Sequence, residues 1–312
     1  MLLPRKLWFQ WQRLKSAIAS SWGAQGSSGG STVRMCPHCR ALIDRDAKIC
    51  PLCGESAGPV RARGSRSSTP GRVLGVIPVP TTATSAFVAV NVALYAISWY
   101  MTQSTAAAES TGGLFSMGGI DARVLLRLGA KAPYILIAGQ WWRLVTAMFL
   151  HAGLLHIGMN MWCLVDLGPE VESLFSTTKF VVLYLVTGVF GFLVSLWWAP
   201  MGMSIGASGA VMGLIGILIG ASFHHGQLGK DYRSQLWRWV MYIAIFGIFF
   251  AVDNAAHIGG LLSGLVLGYL VPEGEPATRP SENLWNSLAV ISVLVIAGSF
   301  ALMALQLGGA AR

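Results

Sequence analysis

The chain has 312 residues, 54% of them hydrophobic and 11% charged, with a mean hydropathy of +0.59. A soluble domain carries about a quarter charged residues, so this balance excludes an ordinary soluble enzyme and points to a polytopic membrane protein. The net charge of +9 is local: residues 1–80 hold 12 Lys/Arg against 3 Asp/Glu, and the remainder holds 10 of each. It therefore implies no nucleic-acid partner. It places the N-terminus in the cytoplasm, where Lys and Arg near membrane spans accumulate.

Residues 1–34 form a basic tail and linker. Arg5, Lys6, Arg13 and Lys15 alternate with Trp8, Phe9 and Trp11, a mixture suited to an anionic bilayer surface. No apolar core follows the first charges, so the stretch does not read as a secretory signal. Residues 35–55 carry Cys36-Pro37-His38-Cys39 and, after ten intervening residues, Cys50-Pro51-Leu52-Cys53. Two such knuckles fit tetrahedral thiolate ligation, so one structural zinc is expected on Cys36, Cys39, Cys50 and Cys53 in a small zinc ribbon. So short a segment has no core of its own, and the metal supplies its folding energy. A cytoplasmic partner is compatible with it, but no residue specifies one. Residues 56–83, rich in Gly, Ser, Arg and Pro, read as a second linker.

Continuous apolar runs follow at 84–100, 144–166, 180–199, 204–222, 236–252, 254–271 and 286–306. Each approaches the roughly 20 residues a helix needs to cross hydrocarbon, and none alternates as a barrel strand does. The expected fold is an all-α polytopic membrane protein of seven helices, with the C-terminus outside. The long outer loop, about 101–143, contains an amphipathic stretch, Asp121–Leu128, and a pair, Trp141 and Trp142, suited to headgroup depth. Lys179, Lys230, Arg233 and Arg238 fall on the inner side as expected, whereas Arg123, Arg127 and Lys131 count against the orientation.

Within the spans, unpaired polar groups are costly, and they are few: His151, His156, Asn160, Asp166, Ser208, Asp253, Asn254 and His257. Ser208 opens the fourth run at the outer end, where helix N–H groups are free for a developing negative charge. His257 stands 49 positions on. Gly206, Gly209, Gly213, Gly216 and Gly220 mark one run and Gly260, Gly264 and Gly268 the other, a small-residue spacing that lets two backbones approach closely. A serine and a histidine brought together in this way form a nucleophile and general base. His156 and Asn160, four apart and on one face, are available to stabilise an oxyanion. His151 falls at the outer mouth. Asp253, four before His257, reads with Asn254 as a cap on the sixth helix. A transporter would show midplane charge pairs and an internal repeat, neither of which is found. A zinc protease would show His-Glu-x-x-His, which is absent, and Cys163 reads as packing.

Over residues 84–271 these stretches resemble the rhomboid family of intramembrane serine proteases. Gly206-Ala207-Ser208-Gly209 is similar to its Gly-x-Ser-Gly motif, and Ala256-His257-Ile258-Gly259-Gly260 to its base motif. His151-x₄-His156-x₃-Asn160 resembles its second-helix signature, and Trp142-Arg143 its first-loop pair. The resemblance implies a six-helix catalytic core at 84–271, with an additional helix in 272–312. It implies Ser208 as nucleophile, His257 as base, His156 and Asn160 as oxyanion donors, and no cofactor for catalysis. Met212 stands where several members carry an aromatic against the base. Implied substrates are single-pass membrane proteins cut near the top of their transmembrane helix, and the reduced cysteine knuckles suit a bacterial inner membrane. The alternative is a catalytically silent relative that binds membrane clients. Such relatives lack the serine or the histidine, and both are present here.

Overall fold

Glycines set the closest approach of two helices of this chain. The computed structural model describes residues 33–35, 42–44, 47–51, 54–56, 72–73, 77–78, 82–104, 119–249 and 252–309. It divides into one unit at residues 1–76 and a second at 77–312, so the second unit begins a few residues before the expected core boundary of 84.

In the first unit, β1 (Val33–Met35) and β2 (Leu42–Asp44) pair antiparallel, with Arg34 opposite Ile43. A tight turn follows at the second cysteine knuckle. Cys50 is buried, its carbonyl accepts from Gly54 N–H and its own N–H donates to Glu55, both at 2.9 Å. Gly54 makes the reversal with φ +74, a conformation that favours glycine. Cys36, Cys39 and Cys53 lie outside the described residues, as does the basic tail. Among the described residues, no group of three or more His, Cys, Asp or Glu could hold a metal ion.

After a two-residue strand, Ile77–Pro78, the second unit is a helical bundle. Its long helices are α1 (Thr82–Gln103), α5 (Leu154–Phe175), α6 (Thr177–Trp198), α7 (Ser208–Ala221), α8 (Gly226–Phe249), α9 (Asn254–Leu270) and α10 (Arg279–Gly309). Between α1 and α5 lie three short helices, α2 (Ala122–Arg127), α3 (Tyr134–Ile137) and α4 (Arg143–Thr146), the last continuing as a 3₁₀ turn through Phe149. Every expected span is at least partly helical. Four helices are long and apolar enough to cross a membrane unaided: Thr82–Gln103, Thr177–Trp198, Ser208–His225 and Arg279–Gly308. α9, at 17 residues, is apolar but shorter. The protein is thus an integral membrane protein.

Two of the expected spans are corrected. The run 144–166 is not a single helix: Arg143–Phe149 and Leu154–Phe175 meet at 94°. Leu150 and Gly153 take extended conformations there, and the apolar character of the run continues across the break. The fourth run is helical only from Ser208, since Ser204 ahead of it pairs in an extended bridge with Lys131.

Several hydroxyl and amide donors inside the spans are satisfied within their own helix. In α1, Asn91, Ser98 and Thr102 donate to the carbonyls of Phe87, Leu94 and Ser98 at 2.7, 2.7 and 2.9 Å. Such back-bonding removes the cost of a bare polar group in hydrocarbon. Aromatics tie the bundle together: Phe87 stacks on Tyr184 of α6 at 4.3 Å, and Phe300 of α10 meets Phe149 edge-on at 5.4 Å. Centrally, α7 and α9 touch along their backbones. A Cβ placed on Gly260, Gly264 or Gly268 would fall onto the carbonyl oxygen of Gly209, Gly213 or Ile217.

Candidate active site

That backbone contact brings two short side chains together. Ser208 is the first residue of α7 and His257 lies in the first turn of α9. His257 Nε2 stands 2.7 Å from Ser208 Oγ. His257 is buried, and its Nδ1 has no hydrogen-bond partner among the described residues. The arrangement therefore holds two members. Asp253 does not reach the ring: one carboxylate oxygen accepts from Ala256 N–H at 3.0 Å, capping α9, and the other accepts from the Ser195 hydroxyl. The structure gives the cap to Asp253, where the sequence reading shared it between Asp253 and Asn254. Asn254, the first residue of α9, turns its side-chain oxygen toward Gly247 of α8.

The start of α7 is prepared as a donor site. Its first helical bond runs from Val211 N–H to the Ala207 carbonyl at 2.9 Å, so the N–H groups of Ser208, Gly209 and Ala210 precede the ladder. The chain reaches this point through Gly206, whose φ of +122 is strained for any other residue and whose N–H donates to Ala147 at 2.8 Å. The glycine also leaves room for His156. A Cβ on Gly206 would lie 2.8 Å from His156 Nε2 and 3.7 Å from Ser208 Oγ. Ala152 N–H donates to His156 Nδ1 at 3.3 Å, which in the neutral ring puts the proton on Nε2, facing Gly206 and the serine. Asn160, one turn along α5, is buried and donates to the His156 carbonyl at 2.9 Å.

The remaining expected residues support this centre. His151, expected at the outer mouth, is instead fully buried in the break before α5 and meets the His156 ring edge-on at 5.0 Å. Met212 is buried one turn after Ser208. Trp141 is exposed, as an interfacial tryptophan should be, but Trp142 lies within the loop, 4.8 Å from the guanidinium of Arg143. Arg143 is itself buried. It donates to the carbonyls of Leu126 and Ala130 at 2.7 and 3.1 Å and to Gln140 at 2.6 Å, so the Trp-Arg pair fastens the outer loop. Earlier in the same loop Asp121 caps α2, and the Arg123 guanidinium beside it holds its carboxyl below the usual range.

Sequence reasoning missed Gly206 as a spacer for His156, and it missed Lys131 and Ser195. For Gly206 the signal was present in its place two residues before the serine. For the other two there was none, because their partners lie far away in the chain.

Residues 138–274 match the family model described as the Rhomboid domain. The chain is 36% identical over 157 residues to RHOMBOID-like protein 6, mitochondrial, of Arabidopsis thaliana, covering 49% of this chain and 51% of that protein. It is 32% identical over 152 residues to Rhomboid protease GluP of Bacillus subtilis (strain 168), covering 47% and 29% respectively. To RHOMBOID-like protein 1 of Arabidopsis thaliana it is 31% identical over 201 residues, covering 59% and 52%. The match thus spans about half the length of the two plant proteins and under a third of the Bacillus one. The matched domain holds both Ser208 and His257, and the likeness supports the rhomboid family.

Proposed function

We propose that this chain is a rhomboid-type intramembrane serine endopeptidase that cleaves single-pass transmembrane proteins with a Ser208–His257 dyad. The observation that carries the reading is the 2.7 Å approach of His257 Nε2 to Ser208 Oγ across two glycine-faced helices. In this reading His257 takes the hydroxyl proton as Ser208 Oγ attacks the scissile carbonyl carbon. The oxyanion is met by the N–H groups opening α7 and by His156 Nε2–H, with Asn160 as a further donor once its amide turns from the His156 carbonyl. Collapse breaks the C–N bond and His257 gives its proton to the leaving amine. Water then attacks the acyl-enzyme with His257 again as base, which frees the new carboxyl end and restores the serine.

The six long helices from α1 to α9 form the core in this reading, with α10 added to them. Given the Lys/Arg excess of residues 1–80, the N-terminus is cytoplasmic and the C-terminus outside; the reduced cysteine knuckles favour a bacterial inner membrane. Cys36, Cys39, Cys50 and Cys53 hold one structural zinc; metal analysis of the purified chain finding no zinc would refute that.

The decisive test is fluorophosphonate labelling in detergent with peptide mapping, beside cleavage of a single-pass transmembrane substrate. Label on Ser208, and cleavage lost in Ser208→Ala and His257→Ala, is expected. Label elsewhere, or cleavage unchanged in either variant, overturns the dyad. A wild-type chain that binds the substrate without cutting it would be a silent client-binding protein.

A further inference from the structure

Polar groups outside the dyad gather at the C-terminal end of α6. Lys131 is 1% exposed, though it comes from the outer loop. Its Nζ donates to the carbonyls of Ala199 at 2.6 Å and Gly202 at 3.0 Å, with a longer contact of 3.5 Å to Ser195. A helix C-terminus attracts a cation, and a buried ammonium needs such acceptors. Ser195, also 1% exposed, donates its hydroxyl to Asp253. Lys131, Ser195 and Asp253 line one cavity of about 360 Å³. Burial presses the Lys131 pKa down, and the charge of Asp253 opposes that.

Two arms leave this cluster. The Lys131 main chain pairs both ways with Ser204 at 3.0 Å, four residues before Ser208. Asp253 caps α9 through Ala256, four residues before His257. The segment carrying the hydroxyl and the helix carrying the imidazole are thus both referred to the end of α6.

We infer that Lys131, Ser195 and Asp253 act as positioning residues, a clamp on the end of α6 that sets the separation of Ser208 and His257. The inference rests on the protease reading, since only a reacting pair gives that separation kinetic meaning. A misplacement of about 1 Å at a reacting pair costs on the order of 10²-fold in rate. The clamp touches neither substrate nor reacting atoms, so its loss lowers kcat and leaves KM.

The test uses the purified full chain in detergent, with labelling rate, kcat, KM and melting temperature measured for wild type, Ser195→Ala, Ser195→Thr and Lys131→Met. Ser195→Ala and Lys131→Met are expected to lower kcat and labelling about 10-fold, with KM within about twofold. Ser195→Thr, which keeps the hydroxyl, restores most of the rate. A folded Ser195→Ala with wild-type kcat, or a Ser195→Thr no faster than Ser195→Ala, overturns the clamp while the dyad stands. Should Ser195→Ala not fold, Lys131→Met decides: wild-type kcat in that variant overturns the clamp. A wild type that neither labels nor cleaves removes the protease reading, and the clamp with it.

Discussion

Glycines on two helices of this chain have opposite surroundings. On α9, Gly260, Gly264 and Gly268 face the carbonyls of Gly209, Gly213 and Ile217, which occupy the space where a side chain would begin. On α10, a Cβ added at Gly298 would meet nothing within 4 Å. The first set is needed because another backbone passes there; the second position is a helix residue facing outward. Close approach and chemistry coincide. Ser208 and His257 have short side chains, and they reach 2.7 Å only because α7 and α9 nearly touch. On α10, by contrast, only 17% of the apolar window is buried, and its large residues Val290, Ile291, Val293 and Leu294 are exposed.

The most severe break of this contrast is Gly264→Ala. One added methyl meets the Gly213 carbonyl, and a main-chain atom in a packed helix cannot swing aside as a side-chain tip does. The helices must separate, at a cost toward the upper end of about 1–3 kcal/mol for overpacking. The gap between hydroxyl and imidazole widens with them. The expected outcome is a clear fall in melting temperature in detergent and no detectable cleavage. A Gly264→Ala chain with wild-type melting and turnover would show that the contact between α7 and α9 is looser than its geometry indicates.

Gly206→Ala separates chemistry from packing. Here the neighbour is the His156 ring, 2.8 Å from the added carbon, and the backbone sits at φ +122. Strain of about 1–3 kcal/mol is expected. The ring can shift where a carbonyl cannot, so the bundle survives. The displaced donor and the tilted serine together lower kcat by about 10²-fold. Steady-state kinetics beside thermal melting distinguish this from Gly264→Ala: here activity falls out of proportion to stability. Equal losses in both would mean that Gly206 is only a packing residue.

The contrast also explains what the sequence disclosed. The meeting of α7 with α9 was legible because glycine spacing is a local pattern that states a backbone distance directly. The cap by Asp253 was legible too, because the acidic residue precedes its helix. The break at residues 150–153 was not, since Met148, Phe149, Leu150, Leu154 and Leu155 keep hydropathy high while two extended residues turn the chain. Lys131 counted against the orientation because a lysine in a loop reads as exposed charge. Its burial depends on carbonyls 64 to 71 positions away. Only the third dimension shows that this cation is neutralised by a helix end.

Gly298→Ala gives the smallest effect and the opposite sign. Glycine inside a helix costs roughly 0.5–1 kcal/mol relative to alanine, because the unfolded chain has more freedom to lose. Nothing near Gly298 resists a methyl group, so the substitution removes that cost without adding a contact. A bundle of this size should gain about 2 °C in melting temperature, with kcat and KM unchanged. A loss instead would mean that something covers this face of α10 in the membrane, such as a second copy or the substrate helix. Cross-linking from the neighbouring exposed Leu294 would then separate those two, since only the first persists without substrate.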